Sequence, residues 1–348
     1  MNFFNFFPVG QGLFYAGLLN DGDYSFVYDC GSESNQRTLS TYISELKRWN
    51  GNDKLDFVAI SHFHNDHING IKELNDKIGF KHLFMPYVCS DVEIRCLYIA
   101  GSYVDSLSEN EIRNDAYRDN LDFIIEKALE IDIDHSKNFV LSTQDWVFNF
   151  FQRTIDNATL GVLKRKLDEY KEANGWSNII DVIKNGGIFD IKNIYRNVFG
   201  NNLNKYSLLL LHYPIAPNTF RSTYFYPNQY SLAHYLRVYP LSRYYRERFY
   251  PYTLLIGDAE FDSDIAYRIS ASFPMGISGI IQVPHHGSKV NWNLFKKYFA
   301  SWNSFNVYVV PFGTRNRYGH PHISIESDVT SIKYYGVNEY SGFPYWIN

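Results

Sequence analysis

Leu55-Asp56-Phe57-Val58-Ala59-Ile60-Ser61-His62-Phe63-His64-Asn65-Asp66-His67 decides how the rest of this 348-residue chain is read. Residues 55–60 are apolar but for one aspartate, the composition of a strand covered on both faces. The second half sets three imidazoles and a carboxylate within six residues. If the strand ends at Ser61, His62 and His64 point to one side, and a helix starting near Asp66 turns Asp66 and His67 toward a second position. Imidazole and carboxylate are ligand types of borderline divalent metals such as zinc. A lone histidine is more often a satisfied core residue. With 11 His in 348 positions, however, three at these spacings arise by chance in roughly one chain per hundred.

Outward from this stretch the pattern is layered. Residues 12–19 (GLFYAGLL) and 24–29 (YSFVYD) are short aromatic or β-branched runs, parted by the turn Asn20-Asp21-Gly22-Asp23, and read as paired strands. Tyr42, Ile43, Leu46 and Trp49 recur at helical spacing in 38–49, before Asn50-Gly51 closes the helix. Strand, helix, strand in this order predicts an α/β architecture. Leu121, Ile124, Ile125, Ala128 and Leu129 give 104–132 a helical period. Residues 145–152 read as a strand, and 157–200 as a polar helical stretch broken at Gly175, Gly186-Gly187 and Gly200. Strands return at 206–213, 252–256, 278–283 and 306–311.

Three of those later strands lead into chemistry. Residues 252–256 run into Gly257-Asp258-Ala259-Glu260, and 278–283 into Pro284-His285-His286-Gly287-Ser288. Asn316-Arg317-Tyr318-Gly319-His320-Pro321-His322 follows 306–311. The C-terminal ends of strands are where open α/β sheets place their ligands. Seven of the eleven histidines fall within 62–67, 285–286 and 320–322, a concentration that solvent exposure alone would not produce.

The order HxHxDH, strand-terminal Gly-Asp, strand-terminal His resembles that of metallo-β-lactamase fold hydrolases. More narrowly, Val9-Gly10-Gln11-Gly12, Asp29-Cys30-Gly31, the His62 to His67 motif, 207–211 (SLLLL), 255–258 (LIGD), 283–288 (VPHHGS) and 316–321 (NRYGHP) are similar, over nearly the whole chain, to the hydrolase domain of ComEC-type competence proteins. This resemblance implies a four-layer αββα sandwich, one domain over 1–348, with a centre for two divalent ions at one edge. Stretches at about 90–140, 153–200 and 214–250 then become inserts: helical, helical and lid-like or ornamental, and Arg/Tyr-rich.

By the same resemblance His62 and His64 hold one ion, Asp66 and His67 the other, and Asp258 bridges them. His286 is implied as the remaining ligand, with His285 as the alternative or as a catalytic neighbour. Asp29 would stand behind the ligands and fix their loop, and Asp66 would also orient the nucleophile. His320 would face the substrate and donate to a phosphate or leaving group, with Ser288 and Asn316 among the substrate contacts. The family draws a further histidine for the first ion from between HxHxDH and the Gly-Asp. Only His82, His135, His212 and His234 lie in that interval, none in a motif, so an incomplete first site is expected. Zinc is the expected metal and manganese the alternative.

Composition bounds the rest. With 45% hydrophobic and 20% charged residues, the chain carries too much apolar surface for a disordered tail. Its 22 Gly show no period, and Cys30, Cys89 and Cys96 are too few and too scattered for a disulfide scaffold; reduced thiols are the simple reading. A net charge of −4 argues against a non-specific nucleic-acid coat. No apolar run approaches the roughly 20 residues of a membrane helix, and the N-terminus lacks the basic n-region of a signal peptide. A cytoplasmic protein with no membrane partner is expected.

Residues 221–252 gather five Arg and nine Tyr against a single acid, Glu247. Arg243 and Arg246 are candidates there for phosphate contact beside stacking tyrosines. The alternative is an aromatic hairpin packed on the sheet or at a subunit interface, its arginines reaching water. The leading expectation is a phosphodiesterase or nuclease that uses a metal-activated hydroxide on nucleic acid or a nucleotide. The same fold admits a small ester, lactone or thioester hydrolase. A non-catalytic, metal-stabilised module, homo-oligomeric or bound to a protein partner in a bacterial multi-protein system, is the third reading.

Overall fold

A computed structural model describes residues 1–130, 139–185, 187–200, 203–215, 223–225, 252–272, 279–299, 306–329 and 334–347. Its strands are β1 (Asn2–Phe6), β2 (Phe14–Leu19), β3 (Tyr24–Cys30), β4 (Leu55–Ala59), β5 (Phe80–Phe84), β6 (Phe139–Ser142), β7 (Trp146–Phe151), β8 (Leu209–Pro214), β9 (Thr223–Phe225), β10 (Thr253–Leu255), β11 (Ile280–Gln282), β12 (Val307–Pro311), β13 (Tyr334–Val337) and β14 (Phe343–Ile347). Its helices are α1 (Gln36–Trp49), α2 (Asn65–Ile68), α3 (Ile71–Lys77), α4 (Val92–Asp105), α5 (Glu109–Ile112), α6 (Asp115–Glu130), α7 (Asn157–Asn174), α8 (Ile179–Lys184), α9 (Ile188–Phe199), α10 (Ser263–Ser272), α11 (Lys289–Phe299) and α12 (Ile323–Asp328).

The strands form two sheets, ordered β5-β4-β3-β2-β1-β14-β9 and β13-β12-β11-β10-β8-β7-β6. Period-two alternation sorts each strand between two environments. Along β3 and β4, Phe26, Tyr28, Phe57 and Ala59 face the other sheet, where Phe148, Phe150 and Leu210 meet them. Val27 and Val58 turn outward, onto Leu39, Ile43 and Leu46 of α1. On the second sheet Leu209, Leu211, Leu254 and Ile281 turn outward, beneath Ile265, Ile269, Trp292 and Phe295 of α10 and α11. The architecture is therefore a four-layer αββα sandwich.

Among the described residues, parallel pairing is confined to two blocks, β3-β4-β5 in one sheet and β10-β11-β12-β13 in the other. Parallel neighbours need a crossover, and α1, α3, α10, α11 and α12 belong to those crossovers. Local caps set the helix starts. Asn35 accepts from the amides of Arg37 and Thr38 at α1, and Asp91 from those of Glu93 and Ile94 at α4.

The expected insert at 90–140 begins with a helix, α4, that the spacing pattern does not signal. Every residue from Cys96 to Val104 is buried, so α4 has no polar face to generate a period. Helices α6 to α9 wrap around it, and their apolar faces join those of α1 and α3 in one continuous core. Most of the third insert lies outside the described residues; its Thr223–Phe225 pairs antiparallel with β14 at the sheet edge. Among the described residues, no helix is long and apolar enough to cross a membrane. Cys30, Cys89 and Cys96 are free thiols.

Candidate metal centre

The clusters singled out from the sequence sit where the parallel strands end. Asp29 lies near the end of β3, His62 to His67 follow β4, Asp258 follows β10, and His285 and His286 follow β11. The loops are tied together by backbone bonds. The Leu208 amide donates to Ser61 O at 2.7 Å, Leu13 to Asp66 O at 3.1 Å, and His285 to Gly257 O at 3.1 Å. Close approach needs glycine: a Cβ on Gly31 would stand 2.4 Å from the Asp66 carbonyl carbon. Gly257 is held at φ +57°, and a Cβ there would meet the Ser61 side chain at 2.6 Å.

Hydrogen bonds set the orientation of the imidazoles. Asp29 accepts from the Ser61 amide and hydroxyl, both at 2.6 Å, and from His67 Nδ1 at 2.7 Å. With its one proton directed at Asp29, Ser61 Oγ accepts from His62 Nδ1 at 2.9 Å. His286 Nδ1 donates to the Pro311 carbonyl at 3.0 Å. Each of these rings points Nδ1 at an outer partner and Nε2 at the centre, the arrangement that orients metal-binding histidines.

The donor atoms converge in two groups. His62, His64 and Asp258 form one, and Asp66, His67 and His286 the other; within each, the three donor atoms lie within 4.8 Å of one another. Asp258 faces both. Its Oδ2 is 3.7 Å from His62 Nε2, and its Oδ1 is 3.3 Å from His67 Nε2 and 3.6 Å from His286 Nε2. The Nε2 atoms of His62, His64, His67 and His286 and Asp258 Oδ1 are all buried without a hydrogen-bond partner. Buried polar atoms are seldom left so. Five of them aimed at one another need protons or cations between them, and the donor set fits divalent metal ions.

Electrostatics agree with that reading. Burial opposes charge on His67, but Asp66, Asp258 and Asp29 outweigh it and hold its pKa well above the ordinary value. Burial likewise disfavours charge on His286, and Asp258 and Asp66 raise it. Despite burial, His67 and His286 keep Asp66 below the usual carboxylate range, and His285, His286 and His67 do the same for Asp258. His62 is pushed well down, by burial first and then by His67 and His64.

His285 and His286 are both expected candidates, and the chain turns them differently. Both adopt left-handed backbone, at φ 50° and 51°, a strain of about 1–3 kcal/mol each. His286 points inward to Asp66, 3.0 Å from its Oδ2. His285 stays about one-third exposed, with Nε2 3.6 Å from Asp258 Oδ2, and its ring stands edge-on to His320 at 5.7 Å. Partial burial, then His285 and His286, pull His320 down to about 4. Tyr318 stacks on His320 at 6.0 Å, and Arg317 lies 5.4 Å over the Tyr318 ring.

The remaining expected residues are placed as follows. Ser288 is buried, its amide closing the turn onto His285 O at 2.8 Å. The Asn316 side-chain amide closes its own loop. It donates to Gly313 O and His320 O and accepts from the Tyr318 and His320 amides. Arg243, Arg246, His135 and His234 lie outside the described residues. His82 is exposed on β5, and His212 is buried between the sheets. Neither joins the donor groups. Unforeseen are Gln282, whose Oε1 accepts from the Ile256 and Gly257 amides at 2.8 Å each, and Asn291, whose Nδ2 donates to the Asp258 carbonyl at 3.3 Å. Gln282 had one visible signal, a polar side chain ending the apolar run Ile280-Ile281.

The fold and this site resemble a class with a sequence profile: residues 10–84 match the Metallo-beta-lactamase superfamily. That match covers β2 to β5 and the histidine motif, and supports a metal-dependent hydrolase in general terms. Among solved structures, the chain is similar to a HARLDQ-motif mutant metallo-β-lactamase from Cronobacter sakazakii, at 16% identity over 41% of this chain and 49% of that one, with a TM-score of 0.26. A metallo-β-lactamase superfamily protein from the archaeon Sulfolobus tokodaii matches at 16% identity over 42% and 54%, with a TM-score of 0.22. The chain thus spans about half the length of these structures. No curated protein matches it.

Proposed function

We propose that this chain is a metal-dependent phosphodiesterase or nuclease. The observation that carries the reading is Asp258, one carboxylate with an oxygen toward each of two buried donor groups. His62 and His64 with Asp258 would hold one ion, and Asp66, His67 and His286 with Asp258 the other. Such ions supply a water ionised near neutral pH and Lewis acidity toward a phosphoryl group. Asp66, anionic and fixed beside His286, is placed to orient the attacking water. His320, uncharged at neutral pH, offers a ring N–H to a phosphate oxygen. Arg317 over Tyr318 pairs a cation with an aromatic face, a combination suited to phosphate and base. The ordered likeness of the seven motifs to ComEC-type hydrolase domains favours a phosphodiester over a small ester.

The test is product release from single-stranded DNA, RNA and cyclic dinucleotides with added manganese or zinc, beside a chromogenic ester. Cleavage of a phosphodiester that disappears in His64→Ala and Asp258→Ala, with native circular dichroism retained, is expected. Ester hydrolysis with no phosphodiester cleavage would overturn the substrate class.

A further inference from the structure

Counting Asp258 once for each group leaves the two positions unequal. Among the described residues, the second has four protein donors, Asp66, His67, His286 and Asp258 Oδ1, and the first has three, His62, His64 and Asp258 Oδ2. The short turn Leu203–Tyr206, just before β8, brings a further side chain to that side. Asn204 is buried, at 8% exposure, and its Nδ2 lies 3.5 Å from Asp258 Oδ2, the oxygen that faces His62. Its Oδ1 is buried with no hydrogen-bond partner. The turn is rigidly held. Ser207 donates from Oγ to Asn204 O at 2.9 Å, Leu208 N is bound to Ser61 O at 2.7 Å, and Tyr28 Oη donates to Leu208 O at 2.7 Å.

We propose that Asn204 supplies the missing donor, its amide oxygen completing the first metal position as two imidazoles, a carboxylate oxygen and an amide oxygen. The inference rests on the metal-centre reading given above. Without a cation the amide N–H faces the carboxylate. With one on Asp258 Oδ2 the N–H is repelled and the carbonyl attracted, and a half-turn of the terminal amide exchanges them in place. The spacing is right, because two oxygens each about 2.1 Å from one tetrahedral ion lie about 3.4 Å apart. His285, also near Asp258 Oδ2, is the rival donor, but it is one-third exposed and packs on His320 outside the His62–His64 group. An amide oxygen in place of a third imidazole hardens the donor set, toward the oxygen-rich sites that manganese takes.

Calorimetric titration of the metal-free chain with manganese and with zinc tests this, alongside metal counting by mass spectrometry and manganese electron paramagnetic resonance. Wild type is expected to bind two ions. Asn204→Ala should weaken one of them at least about tenfold and leave the other unchanged; His285→Ala should leave both. Asn204→Asp should hold manganese at the first position at least as tightly as wild type, and Asn204→His should turn that position toward zinc. Unchanged binding in Asn204→Ala would overturn the assignment. So would equal weakening of both ions, since Asn204 would then act only through Asp258. If Asn204→Ala does not fold, the isosteric Asn204→Asp decides alone: a mere amide donor to Asp258 would become a facing carboxylate and weaken binding. Failure of wild type to bind any ion would instead defeat the metal-centre reading, before Asn204 is at issue.

Discussion

Ser61 Oγ touches Asp29 and His62, and through Asp29 it shares a partner with His67. One hydroxyl therefore helps set the tautomers of a histidine in each donor group. Ser61→Ala should weaken metal binding about 10–100-fold, the range for outer hydrogen-bond partners, with Ser61→Thr restoring it in the same titration. The protons on His67 and His286 make a second residue-scale prediction. Both imidazoles are raised by the carboxylates around them, so an ion must displace protons to bind. Affinity should rise with pH, and titrations in buffers of different ionisation enthalpy should record proton release. A heat independent of buffer would show that the second group is not the binding site.

Among elements, α4 carries the helical body, and its packing depends on one small residue. A Cβ on Gly101 would lie 2.5 Å from Tyr195 Cβ on α9. Gly101→Ala should therefore cost about 1–3 kcal/mol through overpacking, read as a lower urea midpoint. Because α4, α6, α7, α8 and α9 share a core with α1 and α3, the loss should appear as one cooperative transition, and a separate early melt of the helices would contradict that continuity. Legibility in the sequence divides along the same line. Helix α1 shows its period because one face meets water, whereas α4 shows none because its central turns are buried on all sides. β5, with adjacent exposed residues Lys81 and His82, lacks the aromatic and β-branched run that marks β3.

For the whole molecule, the space between the sheets holds a polar thread as well as aromatics. Trp146 Nε1 donates to His212 Nδ1 at 3.1 Å, so the His212 proton sits on Nε2 and points to Tyr15 Oη at 2.8 Å. Tyr15 Oη meets Tyr345 Oη at 2.6 Å, and Tyr345 meets Thr253 Oγ1. Burial pulls His212 down to about 3, against about 6.5 in the unfolded chain. Above pH 6.5 both states are neutral and the full stability is present. As pH falls toward 3 only the unfolded chain takes up the proton, so stability is lost at about 1.4 kcal/mol per pH unit, or about 2 kcal/mol by pH 5. Urea midpoints from pH 8 to 5 should show this loss in wild type and lack that share of it in His212→Gln; an identical pH dependence would rule the linkage out.

The sequence by itself determined that strands and helices alternate into a layered α/β fold, and which short clusters carry ligand chemistry, because adjacency and periodicity are local properties. Only the tertiary structure decided how those clusters share space. His286 rather than His285 turns inward because of the fold of its own short turn against Pro311. Asp258 faces both groups because Gln282 and Asn291 pin the Gly-Asp turn. Asn204, in no motif, arrives beside Asp258 because the turn before β8 is bonded to Ser61. Each of these contacts joins loops from different strands, and no local pattern encodes which loops the packing of two sheets will bring to one edge.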